Sequence, residues 1–277
     1  MAHEFQFSIV IPTYNRCDML CRAINSVASQ SYKNFEVIIV DDGNTVSDDV
    51  FNSYDFQITL IKNRTNRGAA ESRNIGVRAA KGKYISFLDD DDEFAATFLN
   101  ATHKVLEESL PEVAYCWSAV EHCYYDAQDL SYSSRNQSFA SKYKNKEKLF
   151  ESALSIGLGY GVTVKREALF DVGLLDVRYT TVEDTELFIK LLLNNHVPAV
   201  VPTVGVKIHH HNRSRMTGLE HHSKRITECK MLLSSYKGFF KQYPTLRKQL
   251  EMQIVHLSSE IEEFGQSPSK TKNYVGT

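Results

Sequence analysis

The chain has 277 residues, of which 42% are hydrophobic and 24% charged, as expected for a soluble globular protein with one large domain or two small ones. The formal net charge of −2 argues against a nucleic-acid partner, and the five scattered cysteines, without a CxxC pair, argue against a zinc site or a disulfide framework. The sequence also lacks an apolar stretch of about 18 residues, the length that spans a membrane.

The first half of the chain alternates between short apolar runs and helical patterns. Near-continuous Val, Ile and Phe runs between helices are typical of strands buried on both faces, and they predict a mostly parallel sheet. The predicted strands cover 7–12, 35–43, 57–63, 83–92 and 113–120, and the predicted helices cover 16–30 and 68–82.

Polar clusters stand at the ends of three predicted strands: "PTYN" at the first, "DDG" at the second and "DDDD" at the fourth. Ligands of parallel sheets bind outside the carboxyl ends of the strands. Because those ends share one edge of the sheet, we expect the three clusters to lie together where a ligand binds.

The second half of the chain is less regular. The polar, serine-rich and then basic segment 131–148 indicates an exposed loop, and 157–164 resembles a turn into a strand. Segment 182–195 predicts a helix that opens with acids. Two helices are expected at about 220–242 and 245–264, and the residues after them resemble a frayed tail.

Four segments, in this order, resemble motifs of the family 2 glycosyltransferases of the GT-A fold. They are "SIVIPTYNR", "NFEVIIVDDG", "NRGAAESRNIGVRAAKGKYISFLDDDD" and "VEDTELFIKLL". The first two resemble the opening strand with its base-binding loop and the second strand with its nucleotide-contacting acid. The last two resemble the Gly–Arg–Asn helix with the metal-binding DxD strand, and the Glu-Asp motif near the acceptor. The resemblance runs from about Phe7 to Thr217.

The resemblance implies a fold, a reaction and a cofactor. The fold would be α/β, a Rossmann-like GT-A sheet that is mostly parallel and sandwiched by helices, followed by a helical C-terminal extension. The reaction would be inverting transfer of a sugar from a nucleotide-sugar, commonly a UDP-sugar, to an acceptor hydroxyl, with Mn2+ or Mg2+. Many members build bacterial surface polysaccharides such as O-antigen or capsule. The Gln-x-x-Arg-Trp motif of processive synthases is missing, which favours transfer of a single sugar.

The resemblance also divides the chain. Residues 1–216 would form the GT-A domain, with a nucleotide-binding half at about 1–92 and an acceptor-binding half at 93–216. Residues 217–277 would form a mildly basic helical extension and tail. Basic helices suit an anionic membrane surface, where a lipid-linked acceptor is found. A solvated helical cap and a homodimer interface are the alternatives.

The run of four aspartates is the strongest candidate metal site. A divalent cation lets carboxylates and a diphosphate share a site, and Mg2+ uses only one or two carboxylates. Because side chains alternate along an extended strand, Asp89 and Asp91 are expected to face the same way. On the family's pattern Asp91 binds the metal directly, and Asp89 and Asp90 contact the nucleotide-sugar. The stretch Asp90 to Asp92 also fits the DxD pattern. The alternative without a ligand is a solvated acidic turn that caps the next helix.

Further nucleotide-sugar contacts are implied on the loops after the first two strands and on the helix at 68–82. The residues are Pro12, Tyr14, Asn15, Asp41, Arg73 and Asn74. A carboxylate at Asp41 can accept the base N–H of uracil. A turn-forming Asp-Asp-Gly without a ligand is the alternative there.

The Glu-Asp motif corresponds to Glu183 and Asp184. Single displacement at the anomeric carbon needs a general base that takes the proton of the acceptor hydroxyl, and we predict Asp184 in that role. Glu183 is predicted to bind acceptor hydroxyls. The alternative is structural, because acids often begin helices to suit the helix dipole.

Three consecutive histidines stand in "VKIHHHNRSRMT", and members of the family often have a histidine or a basic residue after a late strand. A neutral imidazole can complete a Mn2+ coordination sphere, and the family's pattern ranks His209 first as a metal ligand. Arg213 is a candidate diphosphate contact. A histidine run that is merely a polar strand end is the alternative.

We therefore expect a nucleotide-sugar donor and a glycan or polyprenyl-diphosphate-linked acceptor. The N-terminal segment shows no signal-peptide features, so we expect a cytoplasmic location, with the inner face of the cell membrane as a candidate contact. Two other function classes compete: a sugar-nucleotide-binding module without turnover, and a sugar-phosphate nucleotidyltransferase. The latter would want a Gly-rich loop after the first strand, where this chain has "PTYNRCDM".

Overall fold

The computed structural model divides the chain into two compact units, Met1–Asn212 and Arg213–Thr277. The structure describes residues 4–126, 132–140, 143, 145–210 and 219–266, with side chains to residue 263.

The first unit begins with alternating strands and helices. They are β1 (Phe5–Thr13), α1 (Cys17–Ala28), β2 (Phe35–Asp41), a short 3-10 helix (Asp48–Phe51), β3 (Ile58–Lys62), α2 (Gly68–Ala79) and β4 (Gly82–Phe87). These strands pair in parallel in the order β3-β2-β1-β4. Every residue of β2 is buried, as its Val/Ile composition predicts for a central strand covered on both faces.

The second half of this unit extends the same sheet. Its elements are β5 (Glu93–Phe94), α3 (Phe98–Glu107), β6 (Val113–Tyr125), β7 (Tyr132–Gln137), α4 (Lys146–Ala153), β8 (Thr163–Lys165), α5 (Arg166–Asp171), α6 (Glu183–Leu193) and β9 (Val197–His210). In the described residues the strands form one nine-stranded sheet in the order β3-β2-β1-β4-β8-β6-β9-β5, with β7 beside β6. The β6–β9 pair is parallel, whereas β8, β7 and β5 pair antiparallel.

Helices cover both faces of the sheet. On one face, α2, α4, α5 and α6 pack on a hydrophobic core cluster that includes Val40, Phe87, Trp117 and Phe188. On the other face, α1 and α3 pack on a cluster that includes Ile9, Ile39, Leu20 and Phe98. The expected α/β fold with a helix-covered sheet is therefore confirmed. Among the described residues, four of the eight strand pairs are parallel, and three of these four lie among β1 to β4.

Two expectations about the local structure of the first unit were wrong. The strand predicted over 83–92 ends at Phe87, because the chain turns among the aspartates that follow. Within 131–148, predicted as an exposed loop, Tyr132–Gln137 forms strand β7 at the side of β6. Its polar composition reflects exposure to solvent, which a strand at the edge of a sheet permits.

The second unit is helical. It contains a 3-10 turn (Leu219–His221), α7 (His222–Ser235), α8 (Lys237–Gln242) and α9 (Pro244–Gln266). The helix expected over 220–242 is divided at Tyr236, whose backbone leaves the helical region with φ −110° and ψ 38°. None of the helices among the described residues combines the length and the apolarity that crossing a membrane requires. Most of the predicted tail, 267–277, lies outside the described residues.

Candidate active site

Three polar loops meet at the carboxyl ends of β1, β2 and β4, as the strand order requires. The Asp42 N–H donates to the carbonyl of Thr13 at 2.8 Å, which joins the ends of β2 and β1. The Thr13 hydroxyl donates to Asp90 Oδ2 at 2.7 Å, which joins β1 to the acids after β4. The loops therefore form one polar surface at the edge where ligands of parallel sheets bind.

The four aspartates do not continue β4 as an extended strand. The Asp92 N–H donates to the carbonyl of Asp89 at 3.2 Å, so the chain turns between these two residues. Side-chain alternation therefore does not apply here, and the expectation that Asp89 and Asp91 face the same way by alternation has lost its basis. The turn gives each aspartate its own surroundings.

Asp90 and Asp91 lie against arginines from the loop after β1 and from α1. Arg16 Nη1 lies 3.4 Å from Asp90 Oδ1 and 3.1 Å from Asp91 Oδ2. Arg22 Nη2 donates to the carbonyl of Asp91 at 2.7 Å. Burial raises the pKa of Asp90 to about 6, although the hydrogen bond from Thr13 acts in the opposite direction. These contacts hold the turn of acids in place.

Asp92 and Glu93 are tied to β9. The His209 N–H donates to Asp92 Oδ1 at 2.9 Å, and His209 Nε2 lies 2.7 Å from Glu93 Oε1. The other ring nitrogen, Nδ1, lies 2.6 Å from the Tyr125 hydroxyl. The hydrogen bond from His209 lowers the pKa of Glu93. Both ring nitrogens of His209 therefore have protein partners in this arrangement, and a metal bond would have to displace one of them.

Asp89 is joined to the Glu-Asp motif by a buried arginine. Arg73, 7% exposed, places Nη2 at 2.8 Å from Asp89 Oδ1 and Nη1 at 3.1 Å from Glu183 Oε1. Burial by itself would lower the pKa of Arg73, but the charges of Asp89 and Glu183 more than reverse this and raise it. The side chain of Asp89 is 34% exposed, against 8% for Asp90 and Asp91. Asp89 is thus the aspartate of the three most open to a ligand.

Glu183 and Asp184 begin α6, where acids also suit the helix dipole. Burial raises the pKa of Glu183 to about 7, and the neighbouring charge of Asp184 adds to this while Arg73 opposes it. Asp184 Oδ1 accepts the N–H of Thr185 at 2.6 Å. A group with a pKa near neutrality beside a second carboxylate is a common feature of sites that move protons.

Sequence reasoning missed the segment 157–161, "GLGYG", which it treated only as a turn into a strand. A Cβ atom on Gly157 would lie 3.0 Å from Asp184 Oδ2. One on Gly159 would lie 2.9 Å from Asp89 Oδ2 and 3.5 Å from Asp92 Oδ2. The backbone of this segment therefore runs along both groups of acids. Three glycines in five residues were the available signal.

The predicted base-binding acid, Asp41, is fully buried. Its Oδ1 accepts the N–H of Gly43 at 3.0 Å, and its Oδ2 accepts the N–H of Val46 at 2.7 Å. Its neighbour Asp42 accepts the N–H groups at the start of α2, including that of Gly68 at 2.8 Å. Both acids shape loops, and the contact of Asp41 with a base stays a prediction.

The other predicted nucleotide contacts have different surroundings. Tyr14 is 50% exposed, and Asn15 has a positive φ of 54°, in the loop that follows Pro12 and β1. Asn74 is buried and uses its amide on the backbone of Leu175: Nδ2 donates to the carbonyl at 2.9 Å, and Oδ1 accepts the N–H at 3.0 Å. Arg213 lies outside the described residues. The roles of these five residues in binding a nucleotide-sugar stay predictions.

We expect Arg73→Gln to lower the free energy of unfolding by about 3–5 kcal/mol at pH 7.5, because Glu183 would be left buried without its cation. At pH 5.5 the loss should be smaller. Without the opposing guanidinium the pKa of Glu183 rises above its value of about 7, so the variant takes up a proton on folding, and that uptake costs less at the lower pH. Urea unfolding at the two pH values measures this.

Arg78→Gln is the matched control. Arg78 is on the same helix and pairs with Glu71 at 3.1 Å, but its side chain is 50% exposed, so we expect a change of at most about 1 kcal/mol. If the two variants lose the same free energy of unfolding, or if the loss in Arg73→Gln does not depend on pH, the buried ion pair of Arg73 with Glu183 is contradicted.

Comparison with known sequences relates the chain to a reaction class. The sequence model described as glycosyl transferase family 2 matches residues 8–170. An uncharacterized glycosyltransferase of Haemophilus influenzae is 34% identical over 185 residues, 67% of this chain and 61% of the relative. The Escherichia coli UDP-Glc:alpha-D-GlcNAc-diphosphoundecaprenol beta-1,3-glucosyltransferase WfaP is 45% identical over 92 residues, 32% of this chain and 37% of the relative. The chain thus spans less than two thirds of either relative's length.

Solved structures share the fold. S. aureus TarS 1-349 in complex with UDP-GlcNAc superposes with a TM-score of 0.64 and 17% identity, over 82% of this chain and 66% of that chain. The mannosyltransferase PcManGT from Pyrobaculum calidifontis, in complex with GDP-Man and Mn2+, superposes with a TM-score of 0.61 and 18% identity. That match covers 97% of this chain and 77% of the other.

Proposed function

The chain belongs to glycosyl transferase family 2, and on that premise we propose that it moves a single sugar from a UDP-sugar to a hydroxyl of a glycan or lipid-linked oligosaccharide in surface-polysaccharide biosynthesis. One observation carries the proposal. The buried Arg73 bonds Asp89 and Glu183, so the acids predicted to face the diphosphate and those predicted to face the acceptor are part of one site.

The proposed reaction is a single displacement with inversion. The acceptor oxygen attacks the anomeric carbon of the donor, the bond from that carbon to the diphosphate oxygen breaks, and the nucleoside diphosphate leaves with the electron pair. Asp184 takes the proton of the attacking hydroxyl. Glu183, whose pKa is raised to about 7 by burial, binds a neighbouring acceptor hydroxyl.

A divalent cation fits the acids of this site. Within the described residues, no three His, Cys, Asp or Glu side chains stand in a ready metal-binding arrangement, so the cation belongs to the proposal. Acids outnumber arginines here, and carboxylate oxygens suit Mn2+ or Mg2+. Asp91 would hold the ion, with Asp89 beside it, and the bound ion would offset the charge of the leaving diphosphate.

For the metal-binding DxD motif, we favour the stretch Asp89 to Asp91 over the stretch Asp90 to Asp92. One carboxylate oxygen of Asp92 already accepts the backbone N–H of His209 at 2.9 Å, whereas Asp89 is the more exposed carboxylate. His209 fits as a metal ligand only if it gives up Glu93 or Tyr125, and we therefore rank it below the two aspartates.

Donor and acceptor classes are supported by the relatives. The name of the E. coli relative states a UDP-glucose donor and a diphosphoundecaprenol-linked acceptor, and the two structural neighbours are complexes with nucleotide-sugars, one of them with Mn2+. A cytoplasmic location, a peripheral membrane contact and a homodimer remain predictions from the sequence.

The proposal is tested by measuring UDP release from a panel of UDP-sugars, with Mn2+, with Mg2+ and with a chelator. We expect at least one donor to be hydrolysed slowly alone and faster with a suitable acceptor, in a metal-dependent manner. GDP-sugars serve as the comparison panel. Absence of turnover for every UDP-sugar under every metal tested would contradict the proposal, and preference for a GDP-sugar would correct the donor.

We expect Gly159→Ala to lower the rate of UDP release by about 10- to 100-fold with little effect on stability. The new Cβ would lie 2.9 Å from Asp89 Oδ2, while the other oxygen of Asp89 is held by Arg73, so the carboxylate has to shift. Small displacements of groups that position reactants have effects of this size. Gly238→Ala, where a Cβ meets nothing within 4 Å, is the control and should leave the rate unchanged. If Gly159→Ala releases UDP at the wild-type rate, the close approach of residue 159 to the Asp89 carboxylate is contradicted.

A further inference from the structure

A group of aromatic and imidazole rings lies at the ends of β6 and β9, beside the acids and outside the roles assigned so far. These strands run parallel with Tyr124 opposite His210. The two rings stack with centroids 4.5 Å apart and planes 7° apart. Tyr124 is 45% exposed. The pair, called here the ring platform, therefore presents an aromatic surface to solvent.

A polar network beneath the ring platform fixes it in place. His122, 8% exposed, places Nδ1 at 2.8 Å from His210 Nε2 and Nε2 at 2.9 Å from Gln137 Oε1. The Tyr160 hydroxyl donates to the same Gln137 oxygen at 3.2 Å. Because Gln137 Oε1 can only accept, His122 Nε2 carries a proton, and each group in the chain has a partner. Satisfied networks of this kind hold side chains in one orientation.

The ring platform is connected to the predicted general base by the glycine-rich segment. The Tyr160 N–H donates to the carbonyl of Gly157 at 3.1 Å, which closes a turn whose end Cα atoms lie within about 7 Å of each other. A Cβ on Gly157 would lie 3.0 Å from Asp184 Oδ2. Tyr160 also meets His122, with ring centroids 6.0 Å apart. This segment therefore connects the surroundings of the ring platform with those of Asp184.

The chemistry of the ring platform suits a sugar ring. One face of a pyranose carries C–H groups with partial positive charge, which are attracted to the negative face of an aromatic ring. A hydroxyl at the rim of the sugar needs a hydrogen-bonding group, which the Tyr124 hydroxyl supplies. Rings that are already fixed lose little conformational freedom on binding, which favours weak ligands such as single sugars.

We propose that Tyr124 and His210, held by His122 and Gln137, form a binding subsite for a sugar ring of the acceptor saccharide. This inference rests on the proposed function, since it assigns the acceptor side of the same site. The glycine-rich segment passes Asp184 at Gly157 and Asp89 at Gly159, so the donor sugar is the competing occupant of the ring platform. A donor-sugar subsite would show as a loss of affinity for a UDP-sugar, with unchanged affinity for UDP, in Tyr124→Ala.

The test uses the full chain with UDP and Mn2+, and separately without them. The probes are methyl glycosides of glucose, galactose, mannose and N-acetylglucosamine, titrated by saturation-transfer difference NMR. We expect at least one glycoside to bind the wild type. In Tyr124→Ala its Kd should rise by about 10-fold or more, because the stacking surface is lost. Tyr124→Phe, which keeps the ring, should stay within about threefold of wild type.

Phe170→Ala is the control, since Phe170 is an aromatic residue of similar exposure, 42%, on α5. Calorimetric affinity for UDP with Mn2+ should be the same in all variants. The inference is overturned if no glycoside binds the wild type, if Tyr124→Ala binds glycosides unchanged, or if Tyr124→Ala weakens UDP equally. If a glycoside binds in a manner that depends on Tyr124 but no UDP-sugar is turned over, the proposed reaction is contradicted and the subsite is still supported.

Discussion

Replacement of Asp184 by asparagine is expected to lower kcat for sugar transfer by about 10²- to 10⁴-fold, the usual contribution of a general base. Asparagine keeps the shape and the contact with the N–H of Thr185, 2.6 Å from Oδ1 in the wild type, but it cannot accept a proton. The affinity for UDP should change little, because the substitution removes no group assigned to the nucleotide. Initial rates of UDP release with saturating donor and acceptor measure the effect.

The pH profile separates loss of a base from loss of structure. Wild-type kcat should fall on the acidic side as the base becomes protonated, and that limb should flatten in Asp184→Asn. Asp171→Asn is the control, because its side chain is 63% exposed on α5 and has no assigned role. If Asp184→Asn keeps the wild-type rate, the base must be assigned elsewhere, and Glu183 is the nearest alternative.

Removal of the Asp91 carboxylate is the second large effect. We expect Asp91→Ala to weaken the binding of UDP in the presence of Mn2+ by about 100-fold, in line with the 2–5 kcal/mol that truncating one partner of a buried charge pair costs. Binding of UDP without a metal should change much less, or strengthen, because a repulsive carboxylate is gone. Calorimetry of UDP binding with and without Mn2+ distinguishes the loss of the metal contact from the loss of charge repulsion.

Asp48→Ala removes an acid whose side chain is 80% exposed and is the control for a general change in charge. Asp91 also lies 3.1 Å from Arg16, so thermal unfolding should be followed in parallel. If Mn2+ strengthens UDP binding equally in wild type and Asp91→Ala, the metal role of Asp91 is contradicted, and the same measurement on Asp89→Ala then tests the neighbouring carboxylate.

Much of the scaffold could be predicted from local patterns. The Val/Ile runs of β1 and β2 are buried on both sides, and α6 begins at Glu183 as its acidic start predicts. The acids at the ends of β2 and β4 do lie at one edge of the sheet, because parallel pairing brings carboxyl ends together. Strand β7 was missed since its exposed residues carry no apolar alternation.

The candidate site depends more on the tertiary structure. Four consecutive aspartates look equivalent in the sequence, but the turn from Asp89 to Asp92 gives them different partners and different exposure. The three glycines of 157–161 acquire meaning only because that segment passes along acids from two other parts of the chain. The sequence of that segment does not indicate which side chains its backbone contacts.

The sequence by itself determined the strands and helices of the first half, from β1 to β4, and where acids follow those strands, because burial imposes a period that is visible over a few residues. It did not predict β9 or the covering helices α3, α4 and α5. Only the tertiary structure decided which charges pair. Arg73 bonds an aspartate 16 residues away and a glutamate 110 residues away, and His209 bonds Glu93 across 116 residues. Such partners depend on the order of strands in the sheet, and residue spacing along the chain does not encode that order.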